Sequence, residues 1–236
     1  MLSEEVQACI SDYSGTNVNP QVICCHRYRF IYVRIAKNAS TTFSAEFVKD
    51  RYGGEKTSYS DLDDDIKEKY FTFAFVRDPV ERLLSGYHEL IIRETKAPFD
   101  TGDYLDIEQP YGRLKYFLSL LKQCKWDNHI RDQLAFLKNT KIDYLACIQS
   151  SYEDVAFIFK HLSMGAVPEV GRRRTRIQLV KQEQDRNRMQ LAHVFFRKDL
   201  DEDLLSSVSE IYQMDVAFYQ AVLQARADLL GGYRVD

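Results

Sequence analysis

A chain of 236 residues that is 45% hydrophobic and 28% charged can bury one sizeable α/β core, and its composition is not that of a disordered protein. A formal net charge of -3 argues against a general nucleic-acid binder, which would be basic, yet a few local cations could still hold an anionic small ligand. The five cysteines (Cys9, Cys24, Cys25, Cys124 and Cys147) are odd in number, irregular in spacing and fit no zinc pattern, so they read as reduced thiols.

The N-terminus, MLSEEVQACISDYSG, is acidic and lacks the apolar core of a signal peptide. No apolar run is long enough to cross a membrane. The expected location is therefore the cytoplasm, the alternative being a chain from which an anchor has been removed. Residues 1–27 are expected to form a partly ordered lead-in. FIYVRI, over 30–35, is short, β-branched and aromatic and predicts a strand. AKNAS follows as a loop. TTFSAEFVKDRYG then predicts a helix, with Phe43, Phe47 and Val48 on one face and Gly53 as its stop. Strand, loop and helix in this order make the first half of a βαβ unit.

The acidic stretch over 58–70 predicts a solvated helix or loop. FTFAFV, over 71–76, predicts a second buried strand. Asp78 can cap the next helix, Pro79 suits its first position and Glu81 its capping box. Leu83, Leu84, Tyr87, Leu90 and Ile91 continue it at helical spacing. Residues 96–112 hold two Pro and two Gly and read as a long loop, of the kind that is often functional. A helix over 113–122, a third strand over 142–149 and a helix over 151–162 follow. Ser151 is the expected cap of that last helix, with Asp154 three residues on. The segment from 201 towards 230 reads as helical. The fold class expected is α/β: a P-loop-like, three-layer domain over 1–236, with a central, mostly parallel sheet flanked by helices. Ligands of such sheets bind beyond the carboxyl ends of the strands, which directs attention to the loops after Ile35 and Val76.

Lys37-Asn38-Ala39-Ser40-Thr41-Thr42 leaves a strand and opens a helix. Small residues let the backbone approach a ligand, and free N–H groups at a helix start attract an anion. The hydroxyls add donors and Lys37 adds a charge. The GxxxxGK[ST] spacing is absent, and the segment reads equally as a βα turn with a capping hydroxyl. In FVRDPVERLLSGY, over 75–87, Arg77 ends a strand and can fork onto a phosphate, or can pair with Asp78 or Glu81. Arg82 and Ser85 follow on the helix. Taken together, the two segments resemble the 5′-phosphosulfate loop and the 3′-phosphate motif (RDPxxRxxSxY) of sulfotransferases that use 3′-phosphoadenosine 5′-phosphosulfate (PAPS). The resemblance is closest to the carbohydrate, family 2-like branch. WDNHIRDQ, over 126–133, is similar to that family's N-x-H-W-x-x-Q segment, with Ile130 in place of Trp and Asn128 directly before His129. The similarity covers about residues 28–165, with a helical echo over 211–220.

The resemblance implies that Lys37, Asn38, Ala39, Ser40, Thr41 and Thr42 hold the phosphosulfate and that Arg77 and Ser85 hold the 3′-phosphate. It also implies a basic loop over the nucleotide, for which Arg172, Arg173, Arg174 and Arg176 are candidates; a solvated charge run is the other reading. It implies no metal. Lys37 would stabilise the leaving phosphate oxygen. For the base that takes the acceptor's proton, His129 ranks ahead of His88 and Glu89, while a structural role competes for His129. His26, His161 and His193 have no such context. The acceptor reads as a sugar or another small molecule, with its hydroxyl or amine as the nucleophile, and no nucleic acid is expected as a partner. A kinase or a non-catalytic nucleotide-binding module on the same fold are the rivals.

Overall fold

The structure is a computed structural model describing residues 2–48, 52–93, 109–125, 127–165 and 195–231. The chain forms two compact units: one from Met1–Arg77, Asp132–Val170 and Met214–Asp236, the other from Asp78–Arg131 and Gly171–Gln213.

The first unit is built on a five-stranded sheet of β1 (Gln21–Cys25), β2 (Phe30–Val33), β3 (Glu55–Ser58), β4 (Phe71–Val76) and β5 (Tyr144–Cys147), in the order β3-β1-β2-β4-β5. β2, β4 and β5 are parallel, with Val33 opposite Ala74 and Val76 opposite Cys147. β1 adds antiparallel to β2, and β3 antiparallel to β1. The parallel core is the expected one. The lead-in expected over 1–27 is instead structured. It holds α1 (Glu4–Asp12), capped by the Ser3 side chain, and β1, whose last four residues are all buried. QVICC escaped the sequence reading because a short strand buried on both faces shows no period-two alternation.

Alternate residues of the strands feed two cores. Phe30, Tyr32, Phe73, Phe75, Tyr144 and Ala146 face α2 (Ser40–Phe47) and α6 (Ser151–His161). There Phe43 of α2 stacks on Phe75, centroids 3.9 Å apart and planes within 7°. Ile31, Val33, Ala74, Val76, Leu145 and Cys147 face α1 and α8 (Gln213–Gly231), through Val6, Phe218, Tyr219 and Val222. The unit is thus helix, sheet, helix in three layers. Burial pushes the Cys24 thiol up to about 11 and the Cys147 thiol to about 12, so both stay protonated in the core.

Several boundaries move. The third strand narrows to 144–147 because Ile148–Ser150 turns into a 3₁₀ helix. Asp154 is fully buried and accepts from the Tyr144 hydroxyl, from the Cys147 N–H at 2.8 Å and from Arg226 Nε at 2.9 Å, tying α6 to β5 and α8. The acidic stretch forms a 3₁₀ turn, Tyr59–Asp61, and the short α3 (Asp64–Lys69), which buries nothing.

The second unit packs α4 (Pro79–Tyr87), α5 (Pro110–Gln123) and α7 (Glu202–Ile211) around Leu83, Leu84, Tyr87, Leu114, Phe117, Leu121, Leu204 and Val208. Asp78 caps α4 as expected, its carboxylate accepting from the Glu81 N–H at 3.0 Å. α5 starts at Pro110, earlier than expected, so the end of the supposed long loop is helical. The rest of that loop, 96–108, lies outside the described residues. α4 runs on into a π-helical turn, His88–Arg93.

Candidate functional site

β2 ends at Val33, and a turn over Ala36–Ala39 feeds α2. Two non-glycine residues of this turn are left-handed: Lys37 (φ 66°) and Ala39 (φ 55°). Such residues each cost about 1–2 kcal/mol, so something must hold them. Left-handed residues alternating with others gather successive N–H groups into a concavity that suits an anion. Ala39 is the N-cap of α2 and has no polar side chain to cap it. The first helical bond runs from the Phe43 N–H to the Ala39 carbonyl at 3.1 Å. The N–H groups of Ser40, Thr41 and Thr42 therefore precede the intrahelical ladder, and Thr41 and Thr42 are exposed. The first turn of α2 carries no acidic residue. A helix start of this kind favours a phosphate or sulfate.

Asn38 has a different task from its neighbours. It is fully buried, its N–H donates to the Ile35 carbonyl, and its Nδ2 donates to the Phe75 carbonyl at 2.8 Å and to Gln133 Oε1 at 2.6 Å. Its backbone N–H and its Nδ2 brace the turn from inside. Gln133, also fully buried, accepts from the Arg77 N–H at 2.9 Å and donates to the Arg77 carbonyl at 2.9 Å. The Arg77 guanidinium reaches back across the turn and donates to the Lys37 carbonyl at 3.1 Å. The two cationic residues named from the sequence thus stand together at the carboxyl ends of β2 and β4. The Arg77 guanidinium is thereby tied to the backbone of the turn that carries Lys37.

In the second unit, Arg82 is almost fully buried on α4 and donates to the carbonyls of Arg131 and, at 3.3 Å, Asn128. A Cβ on Gly86 would meet the His129 carbonyl oxygen at 2.5 Å, so α4 comes close to the 127–131 turn only because residue 86 is glycine. The Tyr212 hydroxyl bonds the Ile130 carbonyl from the other side. On this pinned turn His129 is partly exposed, and its Nδ1 lies 2.6 Å from Asp127 Oδ1, which also accepts from the His129 N–H at 2.7 Å. A carboxylate at Nδ1 selects the Nδ1–H tautomer and leaves Nε2 as the proton acceptor. Ser85 is half-buried on α4, two residues after the buried Leu83. His88 is buried at the start of the π-helical turn, and Glu89 follows it half-buried.

Arg172, Arg173, Arg174 and Arg176, with His193, lie outside the described residues. His26 bonds the Tyr70 hydroxyl at 2.8 Å, and His161 packs on Phe71, which gives both structural partners. Sequence reasoning missed what Asn38, Gln133 and Arg82 do, and missed buried Asp215, whose carboxylate accepts from the Gln133 N–H. Its one available signal was a polar residue inside an apolar run, as in DQLAF and MDVAF. Among the described residues no group of three or more His, Cys, Asp or Glu is placed to hold a metal, and no helix is long and apolar enough to cross a membrane. In comparisons with known proteins, the model of the sulfotransferase family matches residues 20–220. No curated protein and no solved structure matches.

Proposed function

Because the chain belongs to the sulfotransferase family, we propose that it transfers a sulfuryl group from PAPS to a hydroxyl or amine of a small-molecule or sugar acceptor and releases 3′-phosphoadenosine 5′-phosphate (PAP). The observation that carries this reading is the turn after β2: an uncapped helix start with Lys37 beside it, and Arg77 bonded to the same turn. The 5′-phosphosulfate is assigned to the N–H groups and hydroxyls of Ser40, Thr41 and Thr42 and to Lys37. The 3′-phosphate is assigned to Arg77, whose planar fork matches it. The motif carries Ser85 to that same phosphate, and the basic run Arg172, Arg173 and Arg174 is assigned to closing over the nucleotide.

In the reaction, the bond from sulfur to the 5′-phosphate oxygen breaks as the bond from sulfur to the acceptor oxygen or nitrogen forms. The displacement is in-line and loose, like phosphoryl transfer, so the protein contributes position and charge. Negative charge grows on the leaving phosphate oxygen, where Lys37 and the α2 dipole stabilise it. The acceptor's proton goes to His129 Nε2, and Asp127 steadies the imidazolium that results. Buried His88 and half-buried Glu89 are the weaker candidates for this step. The test is incubation with sulfur-labelled PAPS and a panel of sugars, phenols, alcohols and amines, without added metal. Label transfer together with PAP release is expected. A protein that binds neither PAP nor PAPS, or whose turnover requires a divalent cation, would refute the proposal.

A further inference from the structure

Lys37 lies in the turn after β2 and Arg77 directly follows β4, so the spacing between the two phosphates they are assigned to depends on how these two backbone segments are held. Beside the bond from the Arg77 guanidinium to the Lys37 carbonyl, a fully buried chain of polar groups holds them. Asp215, near the start of α8, accepts from the N–H groups of Gln133 at 2.7 Å and Leu134 at 3.2 Å, which open a 3₁₀ turn, Gln133–Phe136. The Gln133 amide clasps both backbone groups of Arg77 and accepts from Asn38 Nδ2, whose second bond goes to the Phe75 carbonyl. Phe75 and Arg77 are two residues apart on an extended chain, so their backbone groups face the same edge. β2 stops pairing with β4 at Val33 and Ala74. From there two side-chain amides continue the ladder in place of β2, and one of them sits between the two left-handed residues of the turn.

We infer that Asp215, Gln133 and Asn38 form a positioning relay that holds the Lys37 turn in its left-handed form at a fixed distance from Arg77. None of the three is a catalytic residue; they act through Lys37 and Arg77. The inference rests on the reading of those two as phosphate ligands, but its mechanical half does not. Neutral amides suit the task better than charges: they join two backbones without adding a cation or anion beside the ligand. Asp215 is buried and far along the sequence from the turn, and its bonds to the Gln133 and Leu134 N–H groups carry its effect towards the site.

The experiment compares Gln133→Met, Gln133→Glu, Asp215→Asn and a control, Val222→Ala, which thins the core on α8 without touching the relay. Each is studied well below its own Tm. Without ligand, hydrogen exchange at the Asn38 and Phe43 amides should speed up by at least about tenfold in Gln133→Met and not in Val222→Ala. Gln133→Glu keeps the acceptor for Arg77 and Asn38 and should fall between parent and Met; it and Asp215→Asn serve if Gln133→Met does not fold. In calorimetry, PAP affinity should drop by about tenfold or more, while adenosine 5′-monophosphate and adenosine 3′-monophosphate change by less than about threefold, because only spacing is lost. Unchanged loop exchange, or the same losses in Val222→Ala, would overturn the relay. A parent that fails to bind PAP, with loop exchange still responding, would overturn the nucleotide reading and leave the relay standing.

Discussion

Lys37 and Arg77 are both cations at the ends of neighbouring strands, yet the chemistry gives them different energetic signatures. A 3′-phosphate carries the same charge before, during and after transfer, so on the proposed assignment Arg77 would contribute equally to ground and transition states. Lys37, on the same assignment, would meet charge that grows only as the sulfur–oxygen bond breaks. Arg77→Ala should therefore weaken PAP binding by about tenfold to a hundredfold, a loss of the size expected for a charge-assisted pair. Lys37→Ala should lower single-turnover rate more than it lowers PAP affinity. Calorimetry and rapid quench separate the two, and an Arg77→Ala protein that binds PAP like its parent defeats the assignment. For the base, the proposed ranking of His129 first is supported by its pairing with Asp127. His129→Ala should cost about a hundredfold to ten-thousandfold in rate with PAP affinity nearly intact, the range typical of general-base loss. His88→Ala should cost less rate and more stability, because His88 is buried. The opposite order would move the proton to the π-helical turn.

At the scale of elements, α2 is unusual in starting from an alanine at φ 55° with no side-chain cap. Glycine at that position escapes the left-handed penalty of about 1–2 kcal/mol but loses about 0.5–1 kcal/mol of chain entropy. Ala39→Gly should thus leave stability unchanged or raise it by up to about 1.5 kcal/mol, while Ala39→Val, branched at Cβ, should lower it by more than about 1 kcal/mol. Denaturant midpoints at constant m-value read this directly, and a glycine variant clearly weaker than the parent rules out backbone strain at the cap. Nothing in KNASTT announced the left-handed residues, since alanine and lysine rarely adopt that region and the turn chemistry of Asn is displaced by one position. The strands and helices that show strong apolar runs, β2, β4, β5, α4 and α6, were legible because burial on one or both faces leaves a pattern over several residues. β1 and β3 were not. β1 is too short to show a period, and β3 (EKTS) is a polar edge strand whose pairing with β1 comes from topology rather than composition.

The same division runs through the whole molecule. Residues that would meet a ligand were legible, because Lys37, the hydroxyls after it and Arg77 are types chosen for chemistry at the ends of readable strands. Residues that hold them in place were not, because Asn38, Gln133 and Asp215 meet only in the folded chain, 95 residues apart for the first pair and 82 for the second. A ligand that engages both phosphate positions must therefore act on the fold as a whole, and stability should report it. Binding to the native state alone stabilises by RT ln(1 + [L]/Kd), about 2.7 kcal/mol at a hundredfold excess over Kd. For a chain of this size each kcal/mol raises Tm by about 2–4 °C, so PAP at that excess should raise it by about 5–11 °C. ATP with Mg²⁺ offers the α2 start a polyphosphate but gives Arg77 no 3′-phosphate. At the same concentration it should give less than half the shift of PAP, and Arg77→Ala should shrink the PAP shift towards the ATP value. A shift from ATP with Mg²⁺ equal to that from PAP, in parent and variant alike, would mean that the site reads a polyphosphate and that Arg77 is no part of it.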